Sequence, residues 1–498
     1  MALNSVKKAY NYLKKNGIED TIYASIERIA DREKYTYQPV SADAMANQRK
    51  RTWNEKLTFS IVVPAYETKE KFLRELIDSV IMQTYPYWEL VIADASRTES
   101  VRQIVETYTD RRIVYVKLKE NGGISVNTNA GIVHATGDYI GLLDHDDTIT
   151  PDALYEFAAK IERGKTRGLD YVMIYSDEDK CDSDGSHFFE PNYKPGFNLD
   201  LLLSNNYICH FLMVKGELMK KLMLRPQFDG AQDHDLVLRI YAQTYAQASD
   251  VELAYGHISK ILYHWRCHDE STASNPESKR YAYDAGLAAV RDYIKTADIA
   301  AVVNHTKHNG FYRVDYRDNL TYPKEGPQIR RKVELTVTKR GKIAYNTLLN
   351  RYDIGAIGGP VVSGGKIVGG LMDSTKTCIY DGLNVHFSGY MHRASMQQSG
   401  LAVDVRNMMV TENVGRDVIR IADSKEYVHL FDRNKINDLR DKLDNNTLYS
   451  PYIDVTELLN DLTYEEYDYL SASATLCRDI AFEGYLNYYD PQFLLEEK

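Results

Sequence analysis

Cysteine is scarce in this chain: five in 498 residues (Cys181, Cys209, Cys267, Cys378, Cys477), far apart and never as a C-x-x-C pair. That excludes a disulfide framework and a thiolate zinc site, and it fits a reducing compartment. No run of about 18 apolar residues is present, so a bilayer-spanning helix is not expected. The amino-terminal MALNSVKKAYNYLKKNG lacks the apolar centre of a signal peptide, which makes the cytoplasm the expected location. Basic residues are outnumbered, 61 Lys and Arg against 71 Asp and Glu, for a net charge of −10. Nucleic acid, held through its phosphates by clustered Lys and Arg, is therefore not the expected partner. Two glycine motifs that cradle phosphates are also missing. Neither G-x-G-x-x-G nor G-x-x-x-x-G-K-[ST] occurs, which removes the dinucleotide-binding and P-loop classes.

What is present suits a folded protein of two or three domains: 44% hydrophobic and 27% charged residues is ordinary globular usage. Residues 1–56 differ in charge, with 11 Lys and Arg against 7 Asp and Glu. Leu3, Val6, Tyr10 and Leu13 stand at helical spacing beside Lys7, Lys8, Lys14 and Lys15. Such a helix either docks on the rest of the chain or lies on a membrane surface.

From residue 57 short apolar runs alternate with amphipathic segments. LTFSIVVPAY leads to a helix over 69–83, ELVIADAS to a helix over 99–109, and IVYVKL to a helix over 124–135 and then DYIGLLDHDD. This alternation predicts an α/β fold with a largely parallel sheet, whose ligands sit beyond the carboxyl ends of its strands. Pro64-Ala65-Tyr66-Glu67, Asp94 and Asp144-His145-Asp146-Asp147 all fall at such ends. Asp144 and Asp146 form a D-x-D that can bridge Mg2+ or Mn2+ to substrate phosphates. The same loop can instead be a surface turn in which Asp147 or Thr150 caps the helix starting at Pro151. Asp177, Glu178 and Asp179 follow YVMIYS at what reads as another strand end, and CDSDGSHFFEPNYKPGF reads as a mobile cover.

The ordered landmarks FSIVVPAY, ADAS, NGGISVNTNAGIVHATGDYIGLLDHDDTITPDAL, IYSDEDK, NYKPGFNLDLLLSNNYICHFLMV, GAQDHDLVLR and ILYHWRCHDESTA resemble those of family 2 glycosyltransferases with the GT-A fold. The tandem-type bacterial rhamnosyl- and galactosyltransferases of surface polysaccharide synthesis are the members in view. The resemblance implies a helical extension over 1–56, a GT-A domain over 57–300 with a mostly parallel sheet flanked by helices, and a degenerate GT-A-like domain over 301–498. That last domain lacks a VVP-type strand and a D-x-D, and would bind acceptor, dimerise or brace the first.

By the same resemblance Pro64, Ala65, Tyr66 and Glu67 line the nucleotide base and ribose. Asp94 accepts a hydrogen bond from the base, alone, because Ala93 stands where many relatives carry a second acid. Asn129 lies near the donor with Gly122 and Gly123, for which a turn-and-cap role is equally open. Asp177 meets a donor or acceptor hydroxyl, Asp144 meets ribose or metal, and Asp146 is the main metal ligand. His264 completes the metal shell or is a structural histidine, Arg266 faces phosphate, and Trp265 packs on the core or a sugar. Asp233 is the catalytic base, or else a helix N-terminal carboxylate. The implied activity is inverting, Mn2+- or Mg2+-dependent transfer from dTDP-rhamnose, UDP-galactose or UDP-GlcNAc to a glycan or lipid-linked glycan. Peripheral membrane contact and a homo-oligomer stay open. The alternative of another class is a non-catalytic glycan-binding or scaffold partner.

Overall fold

The computed structural model describes residues 13–14, 18, 21–23, 25–27, 35–245, 255–268, 280–317, 338–445, 447–448, 452–460 and 466–496. Most of the basic amphipathic start (Leu3, Val6, Tyr10, Lys7, Lys8, Lys15) lies outside them.

After helix α1 (Ala42–Arg49), the apolar runs become β1 (Phe59–Ala65), β2 (Trp88–Asp94), β3 (Ile113–Lys117) and β4 (Tyr139–Leu142), parallel in the order β3-β2-β1-β4. β1 and β2 are covered on both faces, which is why their sequences are continuously apolar rather than alternating. Helix α2 (Glu70–Ile81) buries Phe72, Leu73, Leu76, Ile77 and Val80, one stripe at spacings of three and four. Helix α3 (Ser100–Val105) stops short of the predicted 109, where Thr107, Thr109 and Asp110 favour local side-chain bonds over helix. Helix α4 (Ile124–His134) lies hard against β1. A Cβ at Gly131 would stand 2.5 Å from Val62 Cγ1, so glycine permits the approach.

The rest of the sheet departs from the expected parallel pattern. The chain continues through β5 (Thr148–Ile149), α5 (Ala153–Lys165), β6 (Met173–Cys181), β7 (Phe188–Asn192), α6 (Leu199–Ser204), β8 (Leu212–Lys215), α7 (Gly216–Leu222), α8 (Gln232–Tyr245) and β9 (Tyr255–Arg266). β8 runs antiparallel to both β4 and β6, β5 antiparallel to β9, and β7 antiparallel to β6, while β6 and β9 are parallel. The sheet is thus parallel in one half and mixed in the other. β6 runs on to Cys181, so Asp177, Glu178 and Asp179 lie inside a strand and not beyond its end. The chain leaves β1 toward β2 on one side and returns as β4 on the other, which makes the β1/β4 boundary the topological switch point.

Helix α9 (Arg280–Thr296) and the hairpin β10 (Ala301–His305) and β11 (Tyr312–Tyr316) lead to α10 (Lys339–Asn350) and a second region. Its strands are β12 (Ile354–Gly358), β13 (Val361–Ser363), β14 (Lys366–Gly369), β15 (Leu371–Met372), β16 (Gln398–Gly400), β17 (Ala402–Val403), β18 (Met408–Thr411), β19 (Tyr452–Asp454), β20 (Leu486–Tyr489) and β21 (Leu495–Glu496). Five form a sheet in the order β16-β20-β12-β18-β19, covered by α11 (Gly415–Asp423), α12 (Arg433–Asp444), α13 (Val455–Leu458) and α14 (Glu466–Phe482). The Tyr-rich carboxy-terminal stretch supplies α14 and β20. One apolar core runs from Val62 through Leu236 and Val290 to Ile354 and Tyr488, joining the two regions. Arg351 reinforces the junction: it meets Asp200 of α6 at 2.5 Å and Tyr316 Oη at 2.8 Å in the interior, and the partly exposed Asp353 at 2.8 Å.

The described amino-terminal segments dock on the chain itself. Tyr23 stacks on His386 at 4.6 Å, and Tyr35 Oη donates to Asp179 Oδ2 at 2.7 Å. Among the described residues no helix is long and apolar enough to cross a membrane.

Candidate active site

Polar groups gather where β1, β2 and β4 end. At the end of β1, Pro64 is half-buried and Ala65 buried; just beyond it, Tyr66 is half-buried and Glu67 is exposed with a left-handed backbone (φ 49°). The Glu67 carboxylate accepts from Arg97 N (2.8 Å) and Thr98 Oγ1 (3.1 Å), while its own N–H donates to Ser96 Oγ (2.8 Å). The loops after β1 and β2 are thereby tied together. Asp94 closes β2 fully buried and accepts from Ser96 N (2.8 Å), Tyr115 Oη (2.7 Å) and Lys117 Nζ (3.1 Å). Burial alone would raise its pKa, but these donors outweigh it and hold the carboxyl below its usual range.

β4 stops at Leu142, and the acidic run follows at once. Asp144 keeps 42% of its side chain exposed, with His210 Nε2 at 3.7 Å. Desolvation raises its proton affinity; His210 opposes, and the like charges of Asp146 and Asp233 add to the rise. Asp146 Oδ2 lies 2.7 Å from His268 Nε2, and its carbonyl accepts from Arg266 Nε at 2.7 Å. Asp147 turns inward: it accepts from Arg266 N at 2.7 Å, bonds the Tyr263 hydroxyl, and is pushed by burial well above the carboxylate range. It does not cap α5, whose first-turn flank is Asp152.

The facing wall comes from α8 and from the 205–211 segment before β8. Asp233, in the first turn of α8, accepts on Oδ2 from Asn206 Nδ2 (2.8 Å) and Cys209 Sγ (3.1 Å). Next to Cys209, the His210 ring stacks on Tyr263 (4.7 Å, 12° between planes), and its Nδ1 lies 3.4 Å from Glu178. Burial would raise the Glu178 pKa, yet Lys194 at 3.5 Å and His210 outweigh it and hold it at about 2. Asp144 and Asp233 thus feel each other's charge and meet the adjacent residues His210 and Cys209, with His210 between Asp144 and Glu178.

Several predicted residues stand elsewhere. His264 Nδ1 is 2.5 Å from Asp179 Oδ1, and the rings of Tyr37 (4.6 Å) and Phe188 (4.5 Å) close on it. The imidazole beside Asp146 is His268, just past the end of β9, where the chain is free of the ladder and can turn back. Arg266 is 1% exposed; it pairs with Glu75 of α2 at 2.7 Å and donates to Ser183 O at 3.1 Å as well as to Asp146 O. Its guanidinium therefore knits α2 and the loop after β6 to the acidic run. Asn129 grips the Leu224 backbone from both ends of its amide, at 2.8 Å each. Gly123, with φ 93°, precedes α4 as its N-cap, the turn-and-cap role. Asp177 accepts from Lys194 N (2.9 Å) and pairs with His257 Nε2 (2.8 Å), buried in the sheet. Trp265 is half-buried, 5.9 Å from the His210 ring.

The sequence reading missed Asn206, Cys209, His210, Lys194 and His268. The first four carry no spacing signal, since loops from two strands bring them together. His268 had one: a second histidine four residues after His264. Among the described residues, no group of three or more His, Cys, Asp or Glu side chains is arranged to hold a metal.

Two carboxylates behind a strand end at the switch point of the sheet, with a third in the first turn of α8 close enough to act on them by charge, stand where open α/β sheets take their ligands. Residues 60–223 match the family model described as Glycosyl transferase family 2, so that segment is similar to family 2 glycosyltransferases. It is 36% identical over 239 residues to the uncharacterized protein y4gI of Sinorhizobium fredii (strain NBRC 101917 / NGR234), covering 47% of this chain and 25% of that one. It is 35% identical over 239 residues to the O-antigen biosynthesis protein RfbC of Myxococcus xanthus, covering 47% and 18%. The chain thus spans a quarter or less of the length of these two relatives. A crystal structure of S. aureus TarS 1–349 in complex with UDP-GlcNAc superposes with a TM-score of 0.39 at 21% identity, over 49% of this chain and 68% of that one, too loosely to carry an argument.

Proposed function

We propose that this chain transfers a sugar from a nucleotide-sugar to a glycan or lipid-linked glycan, with inversion, in the synthesis of a bacterial surface polysaccharide. The observation that carries the reading is that Asp144, after β4, and Asp233, on α8, are brought into charge contact through the neighbouring pair His210 and Cys209, within and just beyond the segment that matches the family 2 model. The nucleotide lies over the ends of β1 and β2, against Pro64, Ala65, Tyr66 and Glu67, with its base toward Asp94. Its sugar then projects past Asp144 toward Asp233.

The donor set at the acidic run suits a hard divalent cation: two carboxylates one residue apart and an imidazole, of which Asp144 already resists carrying its charge alone. Asp144, Asp146 and His268, which do not form a ligand cluster as they stand, would have to close together to hold Mn2+ or Mg2+. The ion would supply positive charge to the departing diphosphate. Asp233 takes the proton of the attacking acceptor hydroxyl; with Oδ2 held by Asn206 and Cys209, Oδ1 is the oxygen that receives it. Base and leaving group stand on opposite sides of the donor sugar, which is the geometry of inversion. The donor is dTDP-rhamnose, UDP-galactose or UDP-GlcNAc. The reaction is placed in the cytoplasm, at the inner membrane face where lipid-linked acceptors lie. The kinship to an O-antigen biosynthesis protein supports the surface-glycan assignment.

The test is a thermal-shift screen of UDP, dTDP and GDP sugars with and without Mn2+, because ligands of the folded state raise its apparent stability. One nucleotide class should stabilise the protein, and more so with Mn2+. If none does, the reading fails.

A further inference from the structure

We propose that the carboxy-terminal region positions the transfer machinery through Tyr390, whose hydroxyl holds the segment that in turn pins the Asn206–His210 wall. This rests on the function read above and adds a part played by the second region. Tyr390 Oη donates to Pro191 O at 2.6 Å and accepts from Tyr193 N at 2.8 Å. Arg393 Nη2 donates to Tyr193 O at 2.7 Å. Three bonds from one loop of the second region thus grip Pro191 and Tyr193 at the end of β7.

The next residue carries the contact inward. Lys194 is a fully buried lysine, and its ammonium is satisfied by Ile208 O (2.8 Å), His210 O and Glu178 (3.5 Å). Its backbone N–H donates to Asp177 Oδ1 at 2.9 Å. A buried ammonium tolerates no loss of partners, so the Ile208–His210 backbone must sit where Lys194 puts it. That backbone presents Cys209 to Asp233 and His210 to Asp144 and Glu178. The chain of contacts is contiguous from Tyr390 to both Asp144 and Asp233.

The loop that carries Tyr390 is itself built to hold a shape. Met391 and His392 have φ of 51° and 60°, a backbone that non-glycine residues adopt only when their surroundings impose it. Ser388 Oγ bonds His392 Nδ1 at 2.7 Å, the His392 ring stacks on His308 at 4.0 Å, and the Glu27 carboxylate accepts from Ser388 N (3.2 Å) and Gly389 N (2.6 Å). Tyr390 remains 39% exposed, so it adds little to the core. A strained, braced loop with a half-exposed tyrosine at its tip suits a positioning contact better than a stabilising one.

Tyr390→Phe removes both hydrogen bonds and keeps the ring. In the full chain, amide hydrogen exchange over 206–211 should quicken and the transfer kcat should fall about three- to tenfold, the usual reach of such couplings. The nucleotide-sugar Kd and the thermal midpoint should stay unchanged. Tyr352→Phe, at a tyrosine 83% exposed in the same region, is the silent control. Unchanged exchange over 206–211, unchanged kcat, or a Kd that weakens in step with kcat would each overturn the inference. The exchange readout needs no substrate, so it decides the relay even if the unaltered chain turns over no nucleotide-sugar, an outcome that would sink the function reading instead.

Discussion

Two triplets of strands, β8-β6-β9 in the first sheet and β18-β12-β20 in the second, are built alike. In each the middle strand is antiparallel to the first and parallel to the last, and a helix starts directly after the antiparallel strand, at Gly216 or within a turn at Gly415. In each a long helix, α8 or α14, precedes the last strand, and an outer antiparallel neighbour flanks each side: β4 and β5, or β19 and β16. The second triplet has no counterpart of β3-β2-β1 among the described residues. Its middle strand, Ile-Gly-Ala-Ile-Gly, holds no ionisable side chain, whereas β6 includes Ser-Asp-Glu-Asp. The scaffold of the mixed half of the first sheet recurs, while the parallel half with its switch point does not. A shared strand arrangement confers no chemistry without the residues placed on it.

That comparison is broken most directly by chemistry. Asp233→Asn should lower transfer roughly 100- to 10,000-fold, the span of general-base contributions, and leave nucleotide binding intact. Residual transfer near the wild-type rate would move the base elsewhere, including into the second region. Next in size is the junction. Arg351→Met strands the carboxylate of Asp200, 2% exposed, and breaking a buried pair in this way costs about 3–5 kcal/mol. Both regions should lose stability together in denaturant, because one core runs through them. Two separated unfolding steps, only one of them shifted, would show two independent units. Asp146→Ala should weaken Mn2+-dependent nucleotide binding about 10- to 100-fold, with one nucleotide per chain in the unaltered protein by calorimetry. A stoichiometry of two would give the second sheet a site that its strands do not account for.

The parallel half was legible because it is local: strands covered on both faces read as unbroken apolar runs, and the acidic loop sits directly behind one of them. The mixed half was not. β8 is four residues long, and its direction is set by which strand it meets, which no local pattern records. Asp177 to Asp179 read as a strand end because charge usually marks one; here each finds a buried partner, His257, Lys194 with His210, or His264 with Tyr35. His264 and Arg266 have the right residue types and immediate neighbourhood, yet strand geometry commits them to Asp179 and Glu75. Asn206, Cys209 and Lys194 had no signal at all, since their roles arise from contacts between loops.

Glu178 offers the smallest and most selective probe. Its ordinary pKa of 4.5 falls to about 2 in the folded chain, so the folded state favours its charged form. The sign follows: the stabilisation is complete above about pH 4.5 and is lost as the pH drops toward 2, where the folded form must also take up the proton. Between about pH 5 and about pH 3 the wild type should lose about 2 kcal/mol that Glu178→Gln does not lose, measured by urea unfolding at each pH. β12 has no carboxylate in the corresponding strand, so exchange protection in the second sheet should be the same in both proteins across that range. If the two proteins lose stability in parallel, Glu178 is not the ionised partner of Lys194 and His210. If protection in the second sheet differs between them instead, the acid-sensitive wall is not confined to the first region, and the contrast between the two triplets loses its chemical half.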